Sequence, residues 1–285
     1  MCSMTYRELV KRAQENCEKE GIPAQTAVFL LLELSEMESH NLYYEYENEV
    51  DESLLKRYEA AMERLLTQEP LQHILGYEWF YGYRFKVNED VLIPRPETEE
   101  LVANVLAEYD AFFSGKKVVA CDVGCGSGAI AISLKKEEPS LTMYASDISE
   151  KALEVAKENA ETLGAEVTFL CGDMLEPFIE KGIKVDVLVS NPPYIPKDEK
   201  MEKSVVDFEP HVALFGGDDG LYFYRKIFAN AHQIIKEKAI LAFEMGYNQK
   251  ESMEAEAKKY FPNDRMETIK DLNGKNRMFF IYHNL

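Results

Sequence analysis

From Lys116 onward, short apolar runs alternate with longer amphipathic stretches to the end of the chain. Such runs read as strands buried on both faces, and their alternation with helix-length segments points to a doubly wound, mostly parallel sheet. Strands are expected at 117–122, 141–145, 166–170, 185–190 and 239–243, and helices at 127–136, 150–163, 219–235 and 251–260. Segments 266–272 and 277–283 flank Asn273-Gly274 and read as an antiparallel pair. An α/β, Rossmann-like sheet of seven strands ending in a hairpin fits a plain dinucleotide fold poorly.

The ends of the first three strands carry acids. Asp122-Val123-Gly124-Cys125-Gly126-Ser127-Gly128 follows the first strand and opens a helix. Its glycines permit a tight turn and close approach of backbone to a ligand. A dinucleotide fingerprint would set a pyrophosphate on that helix end, but Asp122 would repel phosphate and suits a cationic or amino-bearing group. Asp147 ends the second strand, where such folds place the acid that holds ribose hydroxyls. Asp173, beside Gly172 after the third strand, suits the edge of an adenine ring. Together the three acids describe a site for an adenosine with a cationic side chain, the form of S-adenosyl-L-methionine. Taken singly, each is an ordinary loop carboxylate. A magnesium site is disfavoured because no phosphate-binding lysine accompanies the turn, and no metal is expected.

The fourth strand ends abruptly in Asn191-Pro192-Pro193-Tyr194. Proline cannot continue a ladder, so the chain leaves the sheet where open α/β sheets bind ligands. The Asn191 amide oxygen and the Pro192 carbonyl are acceptors, and with the Tyr194 ring they suit a planar group bearing NH2. The other reading is a rigid turn with Tyr194 as packing.

Residues 1–75 are helical in pattern. Tyr6, Leu9, Val10 and Ala13 share one face, 27–34 is densely apolar, and Leu54, Leu55, Tyr58, Ala61, Met62 and Leu65 stripe a third helix. This segment holds 15 carboxylates against 7 lysines and arginines, a net of −8. It suits an acidic solubilising bundle or a docking module for a basic surface. Residues 76–94, aromatic and β-branched with turn residues between, read as one or two hairpins linking it to a domain at 95–285. Their aromatics are expected to pack between domains. Arg95-Pro96-Glu97-Thr98-Glu99 opens a helix, with Pro96 at its first position and the glutamates at the positive end of its dipole.

The formal charge of −19 over 285 residues argues against nonspecific nucleic-acid binding. Cysteines 2, 17, 121, 125 and 171 show no CxxC or His/Cys ligand spacing and are expected as free thiols. Carboxylates near Cys125 disfavour a nucleophile there. No apolar run approaches the roughly 18 residues of a membrane span, and no basic-plus-apolar leader opens the chain. A cytoplasmic protein without a membrane partner is expected, and nothing demands an oligomer.

Taken together, 94–99, 191–194 and the segment from Phe208-Glu209-Pro210 through Leu214-Phe215-Gly216-Gly217-Asp218-Asp219-Gly220 resemble the PrmC/HemK family, the protein-(glutamine-N5) methyltransferases of peptide chain release factors. The resemblance implies a class I S-adenosylmethionine-dependent methyltransferase fold with a helical N-terminal domain and a hairpin linker. It also implies methylation of the glutamine of a Gly-Gly-Gln loop in class I release factors, with S-adenosyl-L-homocysteine as product. By that resemblance Gly124, Gly126 and Gly128, with Cys125 among them, shape the turn under the methionine part of the cofactor, and Asp122 lies near its amino group. Asp147 and its neighbour Ile148 hold the ribose side, and Asp173 and Met174 the adenine. Asn191 and Pro192 hold the substrate amide, with Pro193 beside them and Tyr194 against its plane. Arg95 and Glu97 border the substrate or order their loop, Glu209 helps close the pocket, and His211 stands where partner recognition is tuned. The rivals are an N6-adenine or N4-cytosine methyltransferase, disfavoured by charge, and a non-catalytic cofactor-binding module.

Overall fold

The computed structural model describes residues 4–201 and 203–285; the thiol expected at Cys2 lies outside them. The chain divides into two compact units: residues up to Tyr77 together with Met201–Phe208, and Glu78–Lys200 together with Glu209–Leu285.

The first unit is built from α1 (Tyr6–Lys19), α2 (Ala24–Ser35), α3 (Ser39–Glu45), α4 (Glu52–Leu65) and α5 (Leu71–Leu75). Thr5 and Glu8 cap α1 reciprocally, the hydroxyl accepting from the Glu8 N–H and the carboxylate from the Thr5 N–H. Asp51 caps α4 through the N–H groups of Ser53 and Leu54. The apolar stripes of α1, α2 and α4 meet in a core containing Leu9, Leu30, Leu31, Tyr58 and Met62. The Tyr58 hydroxyl, buried there, donates to the Ala27 carbonyl at 2.9 Å. The short helices α3 and α5 are too brief to show a stripe, so periodicity does not reveal them.

The linker forms a single hairpin, β1 (Tyr77–Phe80) and β2 (Tyr83–Lys86), rather than two. Its turn residues, Tyr81 and Gly82, both have positive φ, 51° and 77°, which matches the twist of the flanking strands. Phe80 and Phe85 are buried edge to face, whereas Trp79 is exposed.

In the second unit α6 (Pro96–Phe113), β3 (Val119–Val123), α7 (Ala129–Glu137), β4 (Thr142–Asp147), α8 (Glu150–Leu163), β5 (Val167–Cys171), α9 (Glu176–Glu180) and β6 (Val185–Ser190) follow in order. After α10 (Lys203–Phe208), which groups with the helical unit, come α11 (Tyr222–Ala231), β7 (Ile235–Glu244), α12 (Lys250–Ala257), β8 (Arg265–Lys270) and β9 (Asn276–His283). The sheet runs β5-β4-β3-β6-β7-β9-β8, with β9 antiparallel to both neighbours. This is the expected seven-stranded α/β sheet with a terminal hairpin. One face is covered by α6, α7 and α8, the other by α9, α11 and α12. Every residue of β6 is buried, as its mostly apolar run predicts, with Asp186 satisfied by the Val119 N–H and Lys236.

Both ends of α11 differ from expectation, each for a local reason. The helix expected from 219 begins at Tyr222, because Asp219 accepts from the Leu221 N–H and Gly220 sits at φ 74°. It ends at Ala231 because Ile234 is buried in the core and Ile235 already belongs to β7. Strand order reverses between β3 and β6, so the carboxyl ends of these two strands border the crevice where such sheets bind ligands.

Candidate active site

A cavity of about 280 Å³ opens at that reversal. Its wall includes Gly124, Cys125, Gly126, Asp147, Ile148, Asp173 and Met174 on one side, and Arg95, Thr98, Asn191 and Pro193 on the other. Asp90, Val91 and Leu92, from the irregular stretch before α6, and Val212 and Tyr222 also line it; no motif signals these five in the sequence.

The turn between β3 and α7 is held by β4. The N–H groups of Gly124 and Cys125 donate to the Ser146 carbonyl at 2.8 and 2.9 Å. The Gly126 N–H donates to Asp147 Oδ2, and the Ser149 N–H to Asp147 Oδ1, both at 2.9 Å. Asp147 therefore pins the turn, and each of its oxygens keeps accepting capacity. Burial raises its carboxyl above the usual range, against the pull of those amides. Gly128 must be glycine: φ is 80°, and a Cβ would come 2.9 Å from Ile132 Cδ1 and 3.2 Å from Ala156 Cβ. It lies behind the wall and lets the backbone opening α7 approach α8.

Asp122 departs from its expected place. Its side chain is fully buried and off the cavity wall, turned from β3 toward the N–H of Ala131 in α7. Its Oδ2 accepts from the Ala131 N–H at 3.2 Å, and its Oδ1 has no partner among the described residues. Burial, with Asp147 nearby, pushes this carboxyl up to about 7. Asp173 is on the wall, but Lys226 of α11 is ion-paired with it, a partner the sequence does not announce. Cys125 is buried, and its thiol is pushed well up by burial and by both aspartates, which disfavours a thiolate.

On the other side, Asn191 leaves β6 and its Nδ2 donates to Thr98 Oγ1 at 3.3 Å. Its carboxamide oxygen accepts no hydrogen bond among the described residues. Pro192 is buried and Tyr194 half-buried, and neither lines the cavity. Tyr194 is packed against the core with its hydroxyl on Glu244 Oε1 at 3.1 Å, because a phenol in so dry a place needs a polar partner. The glycine-rich segment 214–220 lies along this turn. The Ile195 N–H donates to the Leu214 carbonyl, and a Cβ on Gly216 would come within 2.5 Å of the Pro193 oxygen.

The buried Glu209 accepts from the Ile93 N–H at 3.1 Å and pairs with Arg95. Both residues thus order the stretch leading into α6; Arg95 also borders the cavity, whereas Glu209 and Glu97 do not line it. His211 is exposed in a single 3₁₀ turn, His211–Ala213, edge to face with Phe215. Thr98, Glu244 and Gln249 surround the turn after β6, and no role for them is read from the sequence. The available signal is that Glu244, like Asp147, is an acid ending a parallel strand. No metal-holding group of three or more His, Cys, Asp or Glu occurs, and no helix is long and apolar enough to cross a membrane, both among the described residues.

The chain matches the family model "Methyltransferase small domain" over residues 98–208 and "PrmC N-terminal domain" over 8–76. It is 41% identical to the release factor glutamine methyltransferase of Bacillus cereus, over 97% of this chain and 99% of that protein. Identity is 43% to the protein of the same name from Bacillus subtilis, over 96% of each, and 36% to that of Staphylococcus aureus, over 96% and 98%. Among solved structures, a methyltransferase from Pyrococcus furiosus aligns with a TM-score of 0.51 at 17% identity, over 71% of this chain and 90% of that one. The hMettl16 catalytic domain in complex with the MAT2A 3'UTR hairpin 1 aligns at 0.55 and 13%, over 81% and 80%. These two likenesses concern the fold alone. With helical unit, hairpin, seven-stranded sheet and near full-length identity in agreement, the chain belongs to the release factor glutamine methyltransferase family, enzymes that methylate protein glutamine from S-adenosylmethionine.

Proposed function

We propose that this chain binds S-adenosyl-L-methionine at the ends of β3, β4 and β5. It transfers the methyl, directly and in line, to the side-chain N5 of the glutamine in the Gly-Gly-Gln loop of class I peptide chain release factors. The observation that carries this reading is the Asn191 carboxamide, tied at its nitrogen end to Thr98 and with its oxygen unengaged, in the same cavity wall as Asp147. The residues present fit the cofactor. Asp147 retains accepting capacity for ribose hydroxyls, and Ile148 and Met174 give apolar cover beside Asp173 for a purine. The unpartnered oxygen of Asp122, buried beneath the turn, is an open acceptor on the side assigned to the methionine ammonium. When bound, the cofactor supplies an electrophilic methyl on a sulfonium, and S-adenosyl-L-homocysteine is left.

The chain's own task is orientation. An amide nitrogen is a poor nucleophile because its lone pair is delocalised into the carbonyl. Asn191 Oδ1, in the cavity wall, accepts one N–H group, and the carbonyl of the adjoining Pro192, set back from that wall, accepts the other. Together they hold the nitrogen toward the methyl, a proximity effect. Both acceptors interact more strongly as positive charge grows on nitrogen, so they favour the transition state over the bound amide. The chain's residues need only hold and orient the amide, since the sulfonium would take up the electron pair of the S–C bond as the N–C bond forms. The methylated amide, then strongly acidic, gives its proton to water, and no general base is needed. Tyr194 supports this turn from behind through Glu244. Docking falls to the helical unit, 1–75, whose surplus of carboxylates suits a basic partner surface. No metal takes part, the protein acts as a monomer in the cytoplasm, and nucleic acid is not its substrate.

Incubation of the purified protein with methyl-labelled cofactor and a release factor, followed by peptide mass spectrometry, tests this. One methyl on the glutamine of Gly-Gly-Gln is expected. Label on DNA or RNA oligonucleotides, with none on the release factor, would overturn it.

A further inference from the structure

Asn191 can serve as an acceptor only if its carboxamide is turned one way, and the groups behind it determine that. In the parallel ladder Phe243 of β7 stands opposite Ser190 of β6, so Glu244 comes next to the point where Asn191 leaves the sheet. Thr98, in the first turn of α6, lies between them. Its Oγ1 is 2.6 Å from Glu244 Oε2 and 3.3 Å from Asn191 Nδ2. Both Thr98 and Glu244 are buried, at 5% and 2% exposure. The other oxygen of Glu244 accepts from the Tyr194 hydroxyl at 3.1 Å.

Hydrogen counting closes the chain. Burial raises the Glu244 carboxyl, but the Thr98 and Tyr194 hydroxyls and nearby Arg277 favour its charged form. A carboxylate only accepts, so the single hydroxyl hydrogen of Thr98 goes to Glu244. Thr98 then presents lone pairs to Asn191, and the amide end facing it must be the NH2. The opposite rotamer would set oxygen against oxygen in a site shielded from water. We propose that Glu244, acting through Thr98, is a positioning residue that fixes the Asn191 carboxamide with its oxygen toward the reacting nitrogen. By the same carboxylate it anchors Tyr194, so one buried acid sets both ends of Asn-Pro-Pro-Tyr. Gln249 completes the support: its Nε2 donates to the Tyr194 carbonyl at 3.0 Å.

This inference rests on the proposed transfer to glutamine. Thr98→Val keeps the shape of the side chain and removes the hydroxyl, Thr98→Ser keeps the hydroxyl, and Glu244→Gln offers Thr98 an NH2 that permits the reversed chain. Thr98→Val is expected to lower kcat on release factor roughly tenfold to a hundredfold. KM and calorimetric cofactor affinity should stay within about twofold, and Thr98→Ser should recover most of the rate. On an Asn191→Ala background Thr98→Val should cost nothing more, because there is no carboxamide left to orient. Glu244→Gln should behave as Thr98→Val does, and it carries the test if the valine variant fails to fold. A wild-type enzyme active on release factor whose Thr98→Val variant keeps full kcat, or loses the same factor with and without Asn191, overturns this inference alone. A wild-type enzyme that binds cofactor yet methylates no release factor overturns the substrate reading, and this inference with it.

Discussion

The two sides of the cavity are built differently. On the side of β3, β4 and β5, the ligand-facing surface is mostly backbone: a glycine turn tied to the Ser146 carbonyl and to Asp147, with carboxylates close by. On the side of β6 and β7, it is a relay of side chains from Asn191 through Thr98 to Glu244, with Tyr194 attached. A backbone cradle recognises a ligand by shape and charge and tolerates changes in side chains that do not disturb the turn. A relay fixes the direction of one acceptor and fails when a single hydrogen is misplaced. The first construction suits holding a cofactor; the second suits aiming an amide.

The largest expected effect lies on the relay side. Asn191→Ala should reduce turnover roughly a hundredfold or more, the scale of one oriented polar group lost at a reacting centre. Calorimetric affinity for the cofactor should barely change; tighter cofactor binding with unaltered turnover would break the division between the two sides. On the cradle side, Asp147→Ala should weaken cofactor affinity first, by about tenfold or more, because it removes a charged acceptor and frees the Gly126 and Ser149 amides. A titration showing no change would remove Asp147 from the cofactor.

A third, smaller effect tests whether the cradle is a matter of backbone. Gly128→Ala places a Cβ against Ile132 and Ala156 at a positive φ. A loss of about 1–3 kcal/mol in denaturant unfolding is expected. Unchanged stability would mean that α7 and α8 do not need bare backbone there.

The last effect is read as a change with pH; it concerns Asp122 and has a definite sign. Its carboxyl, at about 7 when folded against about 3.9 for a free aspartate, holds its proton more tightly folded than unfolded. Its contribution to stability is therefore fully present below about pH 4, falls as pH rises, and is lost above about pH 7. Asp122→Asn should flatten this part of the melting-temperature profile. A variant whose melting temperature falls over this interval as steeply as that of the wild type would show that Asp122 is not the group titrating.

The same contrast explains what could be read from the chain. Asp122 through Gly128 is contiguous, and each glycine answers a local demand, so the cradle is written in seven consecutive letters. The strands of the sheet were legible for a similar reason: β6 is apolar but for Asp186 and Ser190, and it is buried throughout. The relay joins residues 98 and 244, 146 positions apart, and no local pattern couples them. Asp122 shows the reverse error, because a motif gives sequence order but not on which side of a strand end the carboxylate falls. Nor does any motif join Asp173 to Lys226, a pairing that depends on how α11 packs.

The most direct measurement is a crystal structure of the protein with S-adenosyl-L-homocysteine and a release-factor fragment carrying Gly-Gly-Gln. The glutamine N5 should lie within hydrogen-bonding distance of Asn191 Oδ1 and the Pro192 carbonyl, with Asn191 Nδ2 still on Thr98 and the cofactor over the turn at Gly124–Gly128. A complex in which the Asn191 oxygen faces Thr98, or the glutamine rests elsewhere, would contradict the account.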